Sequence, residues 1–464
     1  MGNEWKTVGD LAASGIISLS TGPFGSALHK HEYRESGVSV VPAEAISDGE
    51  LDSNKFNYIE DEKASELTRY FLESGDLVFA RRGAQACGHS AYVTEEHTGA
   101  IAGTGLLFAR VLNKDVLDPL FFFLVMSSAE SVTWLKRHAI GATMPNLNTG
   151  IISSTPFNLI PLNQQHEIIS NYLPIRNKLS LLARMNATLE AMAQALFNSW
   201  FVDFDPVIDN ALAAGNPIPS ALQAKAELRM LNAETNSKFK THHSSFPSKF
   251  TWTETMGWIP EGWETGTITD LADLNSESWS NKTHPDHVNY VDLANTKNGR
   301  INEVFPYDYS EAPSRARRVL KVGDTIIGTV RPGNRSFAYI HEDGLTGSTG
   351  FAVLRPKQEA CRTYVYLCLT QDDVIDYFAP LADGGAYPAI RPEVVGNFET
   401  VTFPQELMER FDQKAYPLIE KIGQHQRETD TLTKLRDTLL PKLISGELRV
   451  SDAEQVTEEA LTCK

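Results

Sequence analysis

Basic residues are scarce in this chain. Its 464 residues carry 42 Lys and Arg against 59 Asp and Glu, a net charge of −17. Nucleic-acid binding draws on neutralised phosphates, and a free-standing binder is usually basic, so this balance argues against one. Two arrangements escape the objection: cations gathered on one face, or a partner protein that supplies backbone contacts. Cysteine is rarer still. Cys87, Cys361, Cys368 and Cys463 form no CxxC pair, which argues against a zinc site and fits a reducing compartment. The most apolar stretch, 120–126, is far shorter than the ~20 residues that span a bilayer. The opening Met1-Gly2-Asn3-Glu4-Trp5 has no basic flank before an apolar run. No signal peptide and no membrane segment are expected, and the expected compartment is the cytoplasm. Catalytic strings are missing as well. There is no GxxxxGK[ST] loop, no Gly-x-Ser-x-Gly, no His-Glu-x-x-His and no Asn-Pro-Pro-aromatic string; Gly103-Thr104-Gly105 is too short for a dinucleotide fingerprint and reads as a turn. No enzyme is expected in this chain by itself.

What is present is a duplication. The length calls for two or three domains, and 42% hydrophobic with 22% charged residues is ordinary for globular ones. Pro161 and Pro404 stand 243 residues apart, and the same offset pairs Pro145 with Pro388, Pro174 with Pro417, Leu189 with Leu432 and Leu196 with Leu439. Upstream, small insertions shift the offset. Gly75-Asp76 then matches Gly323-Asp324, Thr104-Gly105 matches Thr349-Gly350, and Arg110 matches Arg355. Each copy opens with a mixed α/β lobe, 1–160 and 257–404. Short runs such as Leu77-Val78-Phe79-Ala80 and Thr325-Ile326-Ile327-Gly328 read as strands after a Gly-Asp turn. One helix is expected after them in each copy, over 118–138 and 361–379.

Each copy ends in a long helix, over 161–204 and 405–450. Ile168, Tyr172, Ile175, Leu179, Leu182, Asn186, Leu189, Ala193, Leu196 and Trp200 alternate spacings of four and three, the seam of a coiled coil. The second seam runs Phe411, Ala415, Leu418, Ile422, His425, Thr429, Leu432, Arg436, Leu439 and Leu443. Asn186 and Thr429 are matched polar positions that could fix register. Neither helix can bury its stripe alone. The economical arrangement is an antiparallel two-helix coiled coil between the lobes; the alternative is that each helix packs only on its own lobe. The segment 205–256, rich in Ala, Asn, Ser and Pro, reads as a linker with room for a short helix at 221–231, and 451–464 reads as a flexible tail. The expected fold is therefore α/β (α+β) lobes, duplicated with a pseudo-two-fold repeat and separated by a coiled-coil spacer.

The strings at the helix ends resemble a known family. Leu189-Glu190-Ala191-Met192-Ala193-Gln194-Ala195-Leu196-Phe197, followed by Ser199-Trp200-Phe201-Val202-Asp203-Phe204-Asp205-Pro206, resembles the central conserved region of the specificity subunits of type I restriction–modification systems. Leu435-Arg436-Asp437-Thr438-Leu439-Leu440-Pro441-Lys442-Leu443 with Ser445-Gly446-Glu447-Leu448 is similar to their C-terminal conserved region. Gly257-Trp258-Ile259-Pro260-Glu261-Gly262-Trp263 resembles the lead-in to their second recognition domain. The resemblance implies two target recognition domains, each reading one half of an asymmetric bipartite site on double-stranded DNA. It implies two adenine methyltransferase subunits docked on the helices, with motor and nuclease subunits as further partners. S-adenosylmethionine would then belong to the methyltransferase partner, ATP and Mg to any restriction subunit, and no cofactor to this chain. A rival from another class is a coiled-coil scaffold whose duplicated lobes bind protein ligands and not DNA, which the charge of −17 favours.

Base edges are read by Arg or Lys on guanine, by Asn or Gln on adenine, and more loosely by Ser or Thr. Loops on a rigid scaffold are where such contacts sit. In the first lobe the candidates are Ser20, Thr21 and Ser26, then Arg81, Arg82, Gln85 and His89, then Thr143, Asn146 and Asn148. In the second they are Ser280, Asn281 and Lys282 beside Ser278, then Arg331, Asn334 and Arg335, then Tyr387 and Arg391. For each the competing role is an exposed or capping residue. The basic run Arg315, Arg317, Arg318 and Lys321 suits phosphates or a solvated face equally. The candidates for partner binding are Leu196, Phe197, Trp200, Phe201 and Phe204, more aromatic than a two-helix seam needs, with Leu439, Leu440 and Leu443; the competing role is packing on the adjoining lobe.

Overall fold

The structure is a computed structural model that describes residues 4–24, 27–47, 49–82, 87–141, 144–235, 245–385, 387–445, 447–448, 452 and 457. The chain divides into two units, Met1–Leu181 with Thr429–Lys464, and Leu182–Glu428. Each holds one lobe and one part of each long helix.

In the first unit the central sheet is built from β1 (Ile17–Thr21), β2 (Leu77–Ala80), β3 (Ser90–Tyr92) and β4 (Leu106–Val111), in the order β1-β4-β2-β3. All pairings are antiparallel. Both faces of its inner strands are covered, which is why they read as unbroken apolar runs. Leu77, Phe79, Leu107 and Ala109 enter one core with the helix Pro119–Met126 and the start of the long helix Leu162–Phe197. Val78, Ala80, Leu106 and Phe108 enter a second core, with the three-stranded sheet Asn57–Ile59, Val38–Val41 and Ile101–Ala102. The helices are α1 (Ala129–His138) and α2 (Leu162–Phe197). The single helix expected over 118–138 is two. Ser127 ends the first, and Ser128 caps α1, its Oγ accepting from Ser131 N–H at 3.3 Å.

The second unit repeats this plan. β5 (Ala272–Leu274), β6 (Thr325–Gly328), β7 (Phe337–Tyr339) and β8 (Phe351–Pro356) form a sheet in the order β5-β8-β6-β7. Ile327, Ala352 and Leu354 face one core; Ile326, Phe351 and Val353 face another. The region 361–379 likewise splits, into Arg362–Leu369 and α3 (Asp372–Phe378). Both lobes close on a strand pair, Glu4–Thr7 with Pro156–Leu159 and Glu264–Thr267 with Glu399–Thr402. Matching capping boxes, Thr7 with Asp10 and Thr267 with Asp270, start the helix that follows the first strand of each pair.

The Gly-Asp and Arg matches of the repeat are one structural device. Arg110 on β4 donates from Nε and Nη2 to both oxygens of Asp76, at 2.8 and 2.7 Å, and to the Phe71 carbonyl at 2.9 Å. Arg355 on β8 grips Asp324 in the same way, at 2.9 and 2.8 Å, and reaches the Val319 carbonyl at 3.1 Å. Asp76 and Asp324 are buried, and hydrogen bonds to them raise both guanidinium pKa values.

α2 and α4 (Gln405–Ser445) pair antiparallel. In the first unit Ile168 and Tyr172 share a core with Leu439, Leu440 and Leu443. In the second, Ala193 and Phe197 share one with Phe411, Ala415 and Ile422, and Trp200 lies 5.7 Å from Phe411, ring to ring. Asn186 accepts from the buried His425 ring, Oδ1 to Nδ1 at 2.8 Å. In an antiparallel pair, a residue faces the sequence running the other way, not its own repeat.

The segment read as a linker is largely structured. The helices Asp205–Ala214 and Gln223–Thr235 lie together, tied by Arg229, which grips both Asp209 oxygens at 2.5 Å and reaches Asp205 at 3.1 Å. The strand Phe250–Thr253 pairs with Gly257–Pro260. The helix Gln223–Thr235 falls where a short helix was expected at 221–231, whereas Asp205–Ala214 was hidden by the linker composition. Thr241, His242, His243 and Ser244 lie outside the described residues, as do nearly all of 451–464. α4 ends at Ser445, short of the expected 450.

Removing one partner of a buried ion pair leaves the other desolvated. Asp324→Ala is therefore expected to cost about 3 kcal/mol of stability. A urea titration in which its midpoint equals that of the unsubstituted protein would show that the pair does not hold the sheet.

Candidate nucleic-acid interface

The loops that leave β2 and β6 are built alike. Arg81 N–H donates to the Gly105 carbonyl at 2.9 Å, and the Arg81 carbonyl accepts from Leu147 N–H at 2.9 Å. In the second lobe Thr329 N–H donates to Gly350 at 2.8 Å, and the Thr329 carbonyl accepts from Ile390 N–H at 2.9 Å. A hairpin packs on each loop. Ile140 and Asn146 exchange backbone bonds at 3.0 and 2.9 Å; Asp383 and Ala389 do so at 3.1 and 2.9 Å. Arg82 pairs with Asn146, and Val330 with Ala389. By these bonds Arg81 and Arg82 correspond to Thr329 and Val330, not to Arg331 and Arg335. Each lobe offers arginines at the same end of its sheet, but from different positions.

In the first lobe Arg81 Nε donates to Asn146 Oδ1 at 3.2 Å, and its guanidinium lies 5.4 Å from the Phe24 ring centroid. Burial, and then Arg82, lowers its pKa, though a guanidinium stays charged throughout the working range. Arg82 is exposed. Both arginines line a cleft of about 380 Å³ with Phe24, Tyr33, Glu44 and Thr104. Gly22 and Gly103 let two chain segments meet there: a Cβ on Gly22 would collide with the Gly103 carbonyl. Ser20 and Thr21 lie on β1, paired with Phe108 and Leu107 of β4, and Gly22 N–H continues the pairing to Leu106 at 2.9 Å. His89 is exposed, beside β3, with Lys136 Nζ 3.0 Å from its Nε2. Asn148 is a helix cap. Its Oδ1 accepts from Ile151 N–H at 2.8 Å, so the capping role competes with base reading. Ser26, Gln85 and Thr143 lie outside the described residues.

In the second lobe Arg331 and Arg335 both adopt positive φ, 48° and 61°, and bracket a single 3₁₀ turn from Pro332 to Asn334. Arg331 N–H bonds the Pro388 carbonyl at 2.8 Å, and its guanidinium lies 5.3 Å from the Tyr387 ring. Tyr387 is 76% exposed and Asn334 is exposed. Arg335 is less available. Its Nε donates to Asn298 Oδ1 at 3.1 Å, and it forms an ion pair with Asp372. The Arg391 carbonyl accepts from Val394 N–H at 2.9 Å at the start of the helix Pro392–Gly396. Ser280, Asn281 and Lys282 are held elsewhere, along Ala316–Val319. Trp279 N–H bonds Arg317 O at 2.8 Å, and Arg318 donates to Ser278 Oγ at 3.1 Å. Sequence reasoning missed Phe24, Asn298 and Asp372, which hold the arginines in place; the acids at the start of α3 were the available signal.

The residues expected to bind a partner are core residues. Phe197, Phe201 and Phe204 are buried, and Phe201 packs on Phe403 at 4.6 Å, Phe411 at 4.8 Å and Tyr364 at 4.9 Å. Trp200 and Leu196 pack against the same cluster. Leu439, Leu440 and Leu443 are buried in the core of the first unit. The aromatic surplus serves the second lobe, whose core the end of α2 completes. Among the described residues, no helix is long and apolar enough to cross a membrane, and no group of three His, Cys, Asp or Glu could hold a metal ion.

Residues 25–191 match the family described as type I restriction modification DNA specificity domain. The chain is 25% identical over 442 residues to the type I restriction enzyme HindI specificity subunit of Haemophilus influenzae, covering 87% of this chain and 94% of that one. It is 22% identical over 360 residues to the MjaIX specificity subunit of Methanocaldococcus jannaschii, covering 74% and 72%. A solved type I S subunit from M. genitalium covers 96% of each chain at 15% identity, with a TM-score of 0.49. Over most of its length the chain is thus similar to specificity subunits of type I restriction enzymes.

Arg335→Ala would strand Asp372, so the test falls on Arg331, whose guanidinium lies against the exposed Tyr387 ring. Arg331→Ala is expected to cost about 1–3 kcal/mol of sequence-specific DNA binding, the worth of one bidentate base contact. Filter-binding titrations that show unchanged affinity and unchanged sequence preference would remove Arg331 from the interface.

Proposed function

We propose that each lobe reads one half of an asymmetric, bipartite site on double-stranded DNA, and that the paired helices set the gap between the halves. The observation that carries this reading is the repeated sheet end, where one hydrogen-bond scheme presents arginines from different positions in the two lobes. Equivalent platforms with different side chains suit two different half-sites. Phosphate contacts would set register and the loop side chains would choose bases. Two adenine methyltransferase subunits would dock on the helices and supply S-adenosylmethionine; restriction subunits, where they join, would supply ATP and Mg. The acidic net charge is then tolerable, because partners also grip the duplex. The rival scaffold reading draws on the same charge and predicts no salt-sensitive DNA binding.

With Phe197 and Phe201 buried, docking needs another surface. Met185, Thr188, Met192 and Ala195 recur at spacings of three and four on α2, and Met185 and Met192 are 39% and 52% exposed. Flexible, polarisable Met side chains suit such a surface.

Mapping methylated adenines in cells that express the chain with its methyltransferase is expected to give a two-part motif. Exchanging residues 1–160 for another lobe should change one part only; a continuous motif, or one that changes throughout, would end the bipartite reading. For docking, Met192→Glu is expected to abolish co-purification of the methyltransferase without moving the thermal midpoint. Retained co-purification would place docking on another face.

A further inference from the structure

α1 carries cations that α3, its counterpart in the other lobe, does not. The last turn of α1 holds Lys136, Arg137 and His138, all exposed. That turn packs against the Gly88 loop: a Cβ on Gly88 would meet Lys136 Cγ at 3.4 Å and Leu135 Cβ at 3.5 Å. Lys136 Nζ approaches His89 at 3.0 Å. Two residues past His138, Ile140 enters the hairpin whose Asn146 pairs with Arg82 and bonds Arg81. Arg81, Arg82, Lys136 and Arg137 thus sit at one end of one sheet. Among the described residues none of the four forms an ion pair, and Glu44, the acid in the adjoining cleft, pairs with none of them.

At the repeat offset Lys136, Arg137 and His138 become Ala379, Pro380 and Leu381. By backbone bonding Arg81 and Arg82 become Thr329 and Val330. α3 adds Asp372, Asp373 and Asp376, and Asp372 holds Arg335. One sheet end is basic; its equivalent is close to neutral or acidic.

We infer that Lys136 and Arg137, with Arg81 and Arg82, form a phosphate-gripping site that the equivalent sheet end of the second lobe lacks, so that the two sheet ends divide the work of binding duplex DNA unequally. This rests on the DNA-reading function proposed above and adds residues and an asymmetry to it. The first lobe supplies sequence-independent hold. At its equivalent sheet end the second sets Arg331 and Tyr387 among Asp372, Asp373 and Asp376, and its basic run Arg315, Arg317 and Arg318 lies along another strand, so that this end discriminates with little hold of its own. Cations in a last helical turn also complement the helix dipole. That role alone would affect stability and leave DNA binding unchanged.

The experiment titrates the full chain with a fluorescent random-sequence duplex over a range of NaCl concentrations. Each phosphate contact contributes about 0.9 to the slope of log affinity against log salt. Lys136→Gln/Arg137→Gln is expected to flatten the slope by about 1.8, with an unchanged thermal midpoint. Lys114→Gln, an exposed lysine of the same lobe, should leave the slope unchanged, and Arg331→Gln should flatten it by less than half as much as the double variant. A double variant with the unsubstituted slope would overturn the site. An Arg331→Gln effect as large as that of the double variant would overturn the asymmetry. An unsubstituted chain whose binding ignores salt would instead remove the DNA-reading function, and this inference with it.

Discussion

A guanidinium clamped on both oxygens of a buried carboxylate ties the start of an inner strand to its neighbour, once in each lobe. Arg110 holds Asp76 just before β2, and Arg355 holds Asp324 just before β6. A lone carboxylate could not be buried there without losing its charge or its stability. Paired, it fixes where the strand begins and so where it ends, four residues later. The recognition loops leave from that end. Backbone bonds to Gly105 and Gly350 continue the sheet past the last strand residue and hand the chain to the hairpin. The ion pair therefore positions a loop it does not touch.

Above this common platform the two lobes diverge in charge. While the second sheet has three strands in the first lobe and four in the second, the strand order of the central sheet, the capping boxes and the hairpin anchors repeat. The side chains on the platform do not. Arg82 in one lobe is Val330 in the other, and Met144 at the hairpin tip becomes Tyr387. A scaffold whose main-chain bonds are self-sufficient leaves its loop side chains free to vary, as a module that reads different sequences requires.

The repeat, the strand runs and the helical seams were legible because each is a local pattern. Alternate burial of Leu77, Val78, Phe79 and Ala80 on opposite faces makes one continuous apolar run, bounded by Gly-Asp. The seam spacing placed Ile168, Tyr172 and Leu439 on inward faces. The aromatic string 197–204 misled: it looks like surplus surface for a partner because the sequence does not show that the end of a helix also caps a lobe's core. The helix Asp205–Ala214 was concealed by its linker-like composition, although Arg229 of the expected second helix finds Asp205 and Asp209 there.

By itself the sequence determined that there are two copies of one α/β plan, each followed by a helix with an apolar stripe, and which family the terminal strings resemble. Periodicity and order settle these, since they depend only on which residue follows which. The tertiary structure decided that Asn186 meets His425, that Phe197 and Phe201 are inside, that Arg335 is neutralised by Asp372, and that Lys136 stands beside His89. Each of those depends on a separation of a few ångströms between residues tens or hundreds of positions apart, and electrostatic and packing energies are set by that separation rather than by spacing along the chain.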